Sequence, residues 1–335
     1  MKKSTIVSLG VLGAAGALGA LAWSRRKVLW YLKQNLLREK TLHIHALPWE
    51  NAGQVYESIP YGDLPSQTLD LYLPDSEEAL PLLVLIHGGG FIAGHSHSRQ
   101  PVFMLRYFRD RGWACASINY RLAQEAPFPG GIEDCCAAVR FLYDHAADYR
   151  IDPSRIVLWG ESAGAYFAAM AAVCPDVPPV RALVSHYGVM DFVTHLQDLR
   201  DQGVPDYMLR IANRWMEKEC EGYAGVGDYW MRKNMDEWTD EERERSSVIA
   251  QVAQAPAEHL PRNTWMVHGL ADITVSPTQS RRLKEALTAR LGEDAVTLRI
   301  FPDLGHADDR FYAPDVLAEI ETFLEKTVNT EREQA

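Results

Sequence analysis

Short apolar segments alternate with helix-forming segments along most of the chain. The apolar segments are about four to eight residues long and are bounded by turn residues, as is typical of buried strands. In chain order, the pattern gives strands at 82–86, 113–118, 156–159 and 182–185, and helices at 131–143 and 165–173. Strands that alternate with helices indicate βαβ units. The pattern therefore predicts an α/β fold with a mostly parallel central sheet flanked by helices, and with the strand-like segments 54–58 and 69–73 as an antiparallel edge.

The alternation stops between residues 191 and 247. This stretch is dense in aromatic and methionine side chains among many charges, and strands resume only at 264–269 and 296–301. An insertion at this point is expected to lie over the carboxyl edge of the sheet, as a cap above a ligand pocket. Its rings either line a pocket for an apolar or aromatic group or only pack the cap onto the body. Both alternatives stay open.

The sequence Gly-Glu-Ser-Ala-Gly occupies residues 160–164, between the predicted strand 156–159 and the predicted helix 165–173. In this order of strand, turn and helix, a Gly-x-Ser-x-Gly sequence forms a strained turn that exposes the serine hydroxyl at the end of a sheet. The flanking glycines remove side chains that would collide there. Ser162 is therefore predicted to be a nucleophile for acyl transfer, rather than an ordinary serine in a strand-to-helix loop.

A second glycine-rich sequence, His-Gly-Gly-Gly-Phe at residues 87–91, directly follows the predicted strand 82–86. Acyl transfer needs donors for the negatively charged oxygen of a tetrahedral intermediate, and backbone N–H groups serve because they are fixed before the reaction begins. We therefore predict an oxyanion hole formed by the N–H groups of Gly89, Gly90 and Ala163. The alternative is a flexible glycine loop without a catalytic role.

A nucleophilic serine needs a base, and the order of residues along the chain selects one of the eleven histidines. With this type of serine turn, an acid and then a histidine follow the serine, each after a later strand. Asp272 follows the predicted strand 264–269, and His306 follows the predicted strand 296–301. We predict that His306 is the general base and that Asp272 fixes its tautomer and supports the imidazolium.

Position argues against the other candidates for these two roles. His268 lies inside a strand end and is expected to be a packed, hydrogen-bonded histidine. His186 ends the strand 182–185 and precedes any acid in chain order. Asp303 is the main rival to Asp272, but it lies only three residues before His306, where its side chain would have to double back.

At these residues the chain resembles the α/β-hydrolase fold, and more narrowly the hormone-sensitive-lipase-like carboxylesterases and the related bacterial esterases and feruloyl esterases. The resemblance covers roughly residues 50–325 and rests on the glycine-rich sequence at 87–91, the serine turn at 160–164 and the shorter sequences 68–74, 120–123, 128–129 and 133–134. Lipase-like members usually have proline where Gln124 stands and an Asp-Pro pair where Asp272 is followed by Ile273. These departures favour the bacterial esterase side of the group.

The resemblance implies a serine carboxylesterase that hydrolyses small to medium carboxylic esters through an acyl-enzyme intermediate. An amidase or peptidase, such as an aminoacyl-peptide or formamide hydrolase, is the alternative on the same scaffold. A hydrolase fold that has become a non-catalytic binding module is the alternative from a different class, although such proteins typically lose the serine or the histidine. The substrate's acyl and alcohol groups are not implied.

Composition restricts the remaining possibilities. With 335 residues, 47% of them hydrophobic, the chain is long enough for one large α/β domain, predicted at 51–330 with the cap at 191–247. A net charge of −11 argues against a nucleic-acid partner, which would require a basic surface. Five cysteines without framework spacing indicate buried thiols. The histidine pairs 43/45 and 95/97 lack an obvious third ligand, so a loop or surface role is favoured over a metal site. The serine mechanism needs neither a metal nor an organic cofactor.

The first 27 residues bear on location. Twenty uncharged residues, 4–23, lie between basic residues and would form a helix about 30 Å long, enough to cross a bilayer. They are predicted to be a membrane anchor or a cleaved signal peptide, followed by a basic and apolar linker helix at 28–50. The anchor explains the length and the linker better, so membrane association is expected. The side of the membrane that the domain faces and the oligomeric state are left open.

Overall fold

The computed structural model describes residues 53–211, 221–223 and 226–329. The strands among them form one eight-stranded sheet. They are β1 (Gly53–Pro60), β2 (Thr68–Pro74), β3 (Leu80–Ile86), β4 (Ala114–Ile118), β5 (Ile151–Glu161), β6 (Ala182–His186), β7 (Asn263–Gly269) and β8 (Val296–Phe301). Their spatial order is β1-β2-β4-β3-β5-β6-β7-β8.

Strand directions follow the lengths of the connections. β1 pairs with β2 and β2 pairs with β4 in antiparallel register, whereas the other neighbouring pairs are parallel. The short connection at 61–67 allows β1 and β2 to pair antiparallel, while parallel neighbours need a longer crossover that is usually helical. The predicted parallel sheet with an antiparallel edge is confirmed.

Helices provide most of these crossovers. The α-helices are α1 (Arg99–Arg109), α2 (Gly130–Asp144), α3 (Ala163–Ala172), α4 (Phe192–Asp201), α5 (Val226–Met231), α6 (Asp240–Arg245), α7 (Val248–Gln254), α8 (Pro277–Leu291) and α9 (Pro314–Asn329). Residues 206–211 are also helical. Short 3₁₀ helices span Ala146–Tyr149, Met235–Glu237, Ala257–His259, Glu293–Ala295 and Asp309–Tyr312.

Alternate side chains of the central strands enter two separate hydrophobic cores, one on each face of the sheet. Along β3, Leu82, Val84 and Ile86 enter one core, and Leu83 and Leu85 enter the other. Successive side chains of a strand point to opposite faces, so a strand that is apolar throughout needs cover on both sides. Helices α2, α3, α7 and α8 cover the first face, and α1 and α9 cover the second.

The parallel strands bring distant parts of the sequence to one edge of the sheet. The loops that follow β3, β5, β7 and β8 leave from the carboxyl ends of these strands, where ligands bind in open α/β sheets. α3, which follows β5, is buried along its whole length because most of its side chains are small. This close packing fixes the start of α3, and therefore Ser162, against the sheet.

The structure describes most of the predicted cap, but neither the predicted anchor nor the predicted linker. The described residues of 191–247 form helices and loops without a strand, and they include α4, α5 and α6. Residues 1–52, which contain the predicted anchor and the linker, lie outside the described residues. Among the helices of the described ranges, none combines the length and the apolar character needed to span a membrane.

Removal of a core side chain from the central strand tests the packing. Leu158 on β5 is 0% exposed. Leu158→Ala should lower the free energy of unfolding by about 2–5 kcal/mol because it removes buried apolar contacts and leaves a cavity. Urea denaturation followed by circular dichroism measures this difference. The control Leu64→Ala, at a side chain that is 44% exposed, should change it by less than about 0.5 kcal/mol, and equal losses in both variants would contradict the assigned core.

Candidate active site

The turn between β5 and α3 holds Ser162 in a strained backbone conformation. Its φ is +51° and its ψ is −118°, a combination that residues with a side chain rarely adopt. A Cβ atom at Gly160 would lie 2.1 Å from the carbonyl oxygen of Gly164, and a Cβ atom at Gly164 would lie 2.0 Å from that of Ile86. Both glycines are therefore required for the close approach of α3 to the sheet. The N–H of Ser162 donates to the carbonyl oxygen of His186 at 2.9 Å and fixes the turn from β6.

The structure brings together the three side chains predicted to act in acyl transfer. Ser162 Oγ lies 2.8 Å from His306 Nε2. His306 Nδ1 lies 2.7 Å from Asp272 Oδ2. Asp272 comes from the loop after β7 and His306 from the loop after β8, so the parallel order of β5, β6, β7 and β8 places all three at one edge. A neutral imidazole that donates from Nδ1 to Asp272 can accept the serine proton at Nε2.

The carboxylate of Asp272 is fully buried and has several donors. Its Oδ1 accepts from the backbone N–H groups of Thr274 at 2.8 Å and Val275 at 2.9 Å. Its Oδ2 also lies 3.2 Å from Nε2 of His268, whose Nδ1 contacts Ser280 Oγ at 2.8 Å. His268 is buried and hydrogen-bonded, as the sequence predicts. Its contact with Asp272 is a finding that no local sequence signal indicated.

Burial favours the neutral form of both His306 and Asp272. It lowers the pKa of His306, because a buried site disfavours the charged imidazolium. It raises the pKa of Asp272, while hydrogen bonds from His268 and from the backbone at 274–275 oppose that rise. The resting His306 ring is therefore neutral at neutral pH, which is the state that a general base requires.

The rival residues lie elsewhere. Asp303 is exposed, and its Oδ2 pairs with Arg310 Nη1 at 2.6 Å. His186 is fully buried, and within the described part of the chain neither of its ring nitrogens has a hydrogen-bond partner. The structure thus joins His306 to Asp272 and not to Asp303.

The glycine-rich loop after β3 adopts a conformation that other residues could not. Gly89 has a φ of +128° and Gly90 a φ of +60°. A Cβ atom at Gly89 would lie 1.8 Å from the carbonyl oxygen of Ala93. Among the described residues, no hydrogen-bond acceptor is found for the backbone N–H groups of Gly89, Gly90 or Ala163. These three donors, predicted from the sequence, are available to a ligand.

The predicted absence of a metal rests on the histidine pairs. His97 Nε2 lies 2.8 Å from Asp70 Oδ2, and the hydroxyl of Ser96 donates to the same oxygen at 2.7 Å. These contacts fix the loop that follows the glycines. Within the described ranges no group of three or more His, Cys, Asp and Glu side chains is arranged to hold a metal ion. The pair 43/45 lies outside those ranges.

Aromatic side chains of the region 191–247 pack onto the body of the protein. Trp230 is 1% exposed and stacks on Phe91, with 5.1 Å between ring centroids. Its carbonyl oxygen accepts from the N–H of Phe128 at 2.7 Å. Trp238 is also buried and contacts Phe192 of the same region, whose ring lies 5.4 Å from that of Phe91. These rings therefore serve to attach the segment beside the glycine-rich loop.

The fold is shared with solved esterase structures. A structure described as a truncated form of carbohydrate esterase from gut microbiota aligns with a TM-score of 0.67 and 22% sequence identity, over 84% of this chain and 99% of that chain. Together with the strand order and the serine turn, this likeness shows that the protein has the α/β-hydrolase fold. Within that fold, the sequence profile of the BD-FAE family matches residues 69–287, more than half of the chain. The chain belongs to the BD-FAE family.

Curated relatives extend the comparison. The chain is 25% identical over 257 residues to the probable isoprenylcysteine alpha-carbonyl methylesterase ICMEL1 of Oryza sativa subsp. japonica. This match covers 70% of this chain and 53% of that protein. The chain is 36% identical over 127 residues to the carboxylesterase NlhH of Mycobacterium tuberculosis. This match covers 37% of this chain and 40% of that protein. The matches thus span about half of the length of these relatives, or less.

The buried His186 makes a testable contribution to acid sensitivity. Burial lowers its pKa to about 3, whereas an unfolded histidine titrates near 6.5. Between these pH values the unfolded chain binds the proton and the folded protein does not, so stability is lost as the pH falls below about 6.5. In His186→Leu, the free energy of unfolding should depend less on pH between pH 7 and about pH 4, by up to about 1.4 kcal/mol per pH unit. Thermal unfolding at several pH values measures this difference.

Leu158→Ala, which also changes a buried side chain but removes no titratable group, provides the control for this measurement. It should retain the wild-type dependence of the free energy of unfolding on pH. If His186→Leu also retained it, the buried imidazole would not account for the acid sensitivity.

Proposed function

We propose that the protein is a serine esterase that hydrolyses small to medium carboxylic esters through an acyl-enzyme intermediate. The observation that carries the proposal is the hydrogen-bonded chain from Ser162 Oγ to His306 Nε2 at 2.8 Å and from His306 Nδ1 to Asp272 at 2.7 Å. The backbone N–H groups of Gly89, Gly90 and Ala163, for which no acceptor is found among the described residues, belong to the same site. Membership of the BD-FAE family and the names of the relatives, methylesterase and carboxylesterase, support ester hydrolysis.

The geometry suits a two-step reaction. His306 Nε2 takes the hydroxyl proton of Ser162 as the oxygen attacks the ester carbonyl carbon. The carbonyl oxygen becomes an oxyanion, which the N–H groups of Gly89, Gly90 and Ala163 stabilise. Collapse of this intermediate breaks the bond to the alcohol oxygen, and the imidazolium returns its proton to that oxygen. The alcohol then leaves and the acyl group stays on Ser162.

The same groups then hydrolyse the acyl-enzyme. A water molecule attacks the acyl carbon while His306 takes one of its protons, and the oxyanion forms again at the same donors. Collapse releases the carboxylic acid and returns the proton to Ser162. Asp272 holds the ring in the required tautomer and stabilises the imidazolium in both steps.

We further propose that residues 1–27 direct the protein to a membrane or across it. The support is the uncharged segment 4–23 with basic residues on both sides. This proposal is independent of the catalytic one.

Replacement of the nucleophile should abolish turnover. Ser162→Ala should lower kcat for p-nitrophenyl esters by about 10³-fold or more, because no oxygen remains to form the acyl-enzyme. The melting temperature should stay close to that of the wild type. The control is Ser185→Ala, which removes a fully buried hydroxyl on β6 for which no partner is found among the described residues, and it should retain activity.

One outcome of this experiment, and one outcome of a substrate comparison with the wild type, would overturn the proposal. A folded Ser162→Ala variant with wild-type turnover would exclude a catalytic serine at this position. A higher kcat/KM of the wild type for a matched anilide than for the ester would make the protein an amidase.

The two aspartates should differ sharply in their effect on rate. In Asp272→Asn the amide oxygen can still accept from the backbone at 274–275, which leaves the amide NH₂ facing His306 Nδ1. The ring must then carry its proton on Nε2 and cannot accept from Ser162, so kcat should fall by about 10³- to 10⁴-fold. Asp303→Asn is the matched control and should retain activity in the same ester assay, whereas similar losses in both variants would contradict the assignment of Asp272.

A further inference from the structure

The residue directly before the nucleophile carries a buried carboxylate for which the reaction steps above have no use. Glu161 is 4% exposed. Its Oε2 accepts from the hydroxyl of Tyr187 at 2.8 Å and from that of Tyr312 at 2.7 Å. The two hydroxyl groups also contact one another. Its Oε1 accepts from the N–H of Gly88 in a longer contact of 3.4 Å.

The two tyrosines connect this carboxylate to the base. The ring of Tyr187 packs edge-on against the ring of His306, with 4.8 Å between centroids. Tyr187 itself is held by its N–H, which donates to the carbonyl oxygen of Val267 at 2.9 Å. Tyr312 ends the 3₁₀ helix Asp309–Tyr312, in the segment that directly follows His306. The orientation of the His306 ring is therefore linked to Glu161 both through space and along the chain.

The contact with Gly88 links Glu161 to the glycine-rich loop at 87–91, which is also called the oxyanion loop below. Gly88 precedes the two glycines whose N–H groups are predicted to bind the oxyanion, and a Cβ atom at Gly88 would lie 3.4 Å from Cβ of Ser162. Glu161 thus contacts, from one side chain, the loops that carry the base and the oxyanion donors. Because Glu161 also belongs to the serine turn, this carboxylate links the turn to the glycine-rich loop and to the segment that follows His306.

A purely structural role gives little reason for a carboxylate at this position. A buried charged or acidic group costs free energy unless donors satisfy it, and an apolar side chain of similar volume often serves stability as well or better. Two tyrosine hydroxyls on one oxygen fix the direction of the carboxylate and of both rings at the same time. Such an arrangement specifies geometry rather than packing alone.

We propose that Glu161, Tyr187 and Tyr312 form a positioning network that sets the orientation of His306 and of the Gly88 loop relative to Ser162. This inference rests on the proposed function of the same site. The three side chains do not contact the reacting atoms in this role. They act through the His306 ring and the backbone of the oxyanion loop.

The test uses variants that keep the rings and the shape of the carboxylate. In Tyr187→Phe, Tyr312→Phe and Glu161→Gln, kcat for a p-nitrophenyl ester should fall by about 10-fold or more while KM changes by less than about 2-fold, since a misplaced base slows chemistry and not binding. The second-order rate constant for labelling of Ser162 by a fluorophosphonate probe should fall by a similar factor. The double variant Glu161→Gln/Tyr187→Phe should be no slower than the slower single variant, because both changes break one network.

Tyr61→Phe is the control for the loss of a tyrosine hydrogen bond. Its hydroxyl donates to the carbonyl oxygen of Asn119 at 2.6 Å, outside the network, and the variant should keep the wild-type kcat and labelling rate. If the network variants melted at a lower temperature but were labelled and turned over at the wild-type rate, the network would only stabilise the fold and the inference would be wrong. Failure of the proposed function is a separate result, namely a wild-type protein that is not labelled on Ser162 at all.

Discussion

The close approach of helix α3 to the sheet is the constraint on which the site depends. A side chain at Gly164 would collide with the carbonyl oxygen of Ile86, and one at Gly160 would collide with Gly164. With both positions free of side chains, the chain can turn sharply from β5 into α3 and hold Ser162 at a φ of +51°. Strain of this kind persists only where the surroundings determine the backbone. Here the buried α3 and the hydrogen bond to His186 supply that determination.

Buried polar groups lie next to this turn. Asp272, His268 and His306 are almost completely removed from water, so each hydrogen bond among them acts in a medium of low polarity, where it is stronger than in water. The neutral imidazole and its carboxylate partner are ready before any substrate binds. Glu161, directly before Ser162, adds a second buried carboxylate, with tyrosine donors in place of a histidine. The site therefore contains two buried acids in different environments, Asp272 beside histidines and Glu161 beside tyrosines.

The features that could be predicted from the sequence are short motifs and the order of residues along the chain. Features that depend on packing could not be predicted. Ser162 and the glycines lie in short motifs that could be recognised from their position directly after predicted strands, and chain order selected Asp272 and His306, which the structure places within hydrogen-bonding distance. The contacts of Tyr187 and Tyr312 with Glu161 could not be predicted, because they join residues that are far apart in sequence and that only the packing of the fold brings together. The rings of 191–247 were equally ambiguous, since the same composition suits a pocket lining and a packing surface.

One measurement would decide whether the strained serine carries the acyl group. The protein would be mixed with a slowly hydrolysed p-nitrophenyl ester, quenched with acid during turnover, digested and examined by mass spectrometry. Our account predicts the mass of the acyl group on the peptide that contains Ser162, and its absence from Ser162→Ala. Acylation of a different residue, or ester hydrolysis that continues in Ser162→Ala without any acylated peptide, would contradict it.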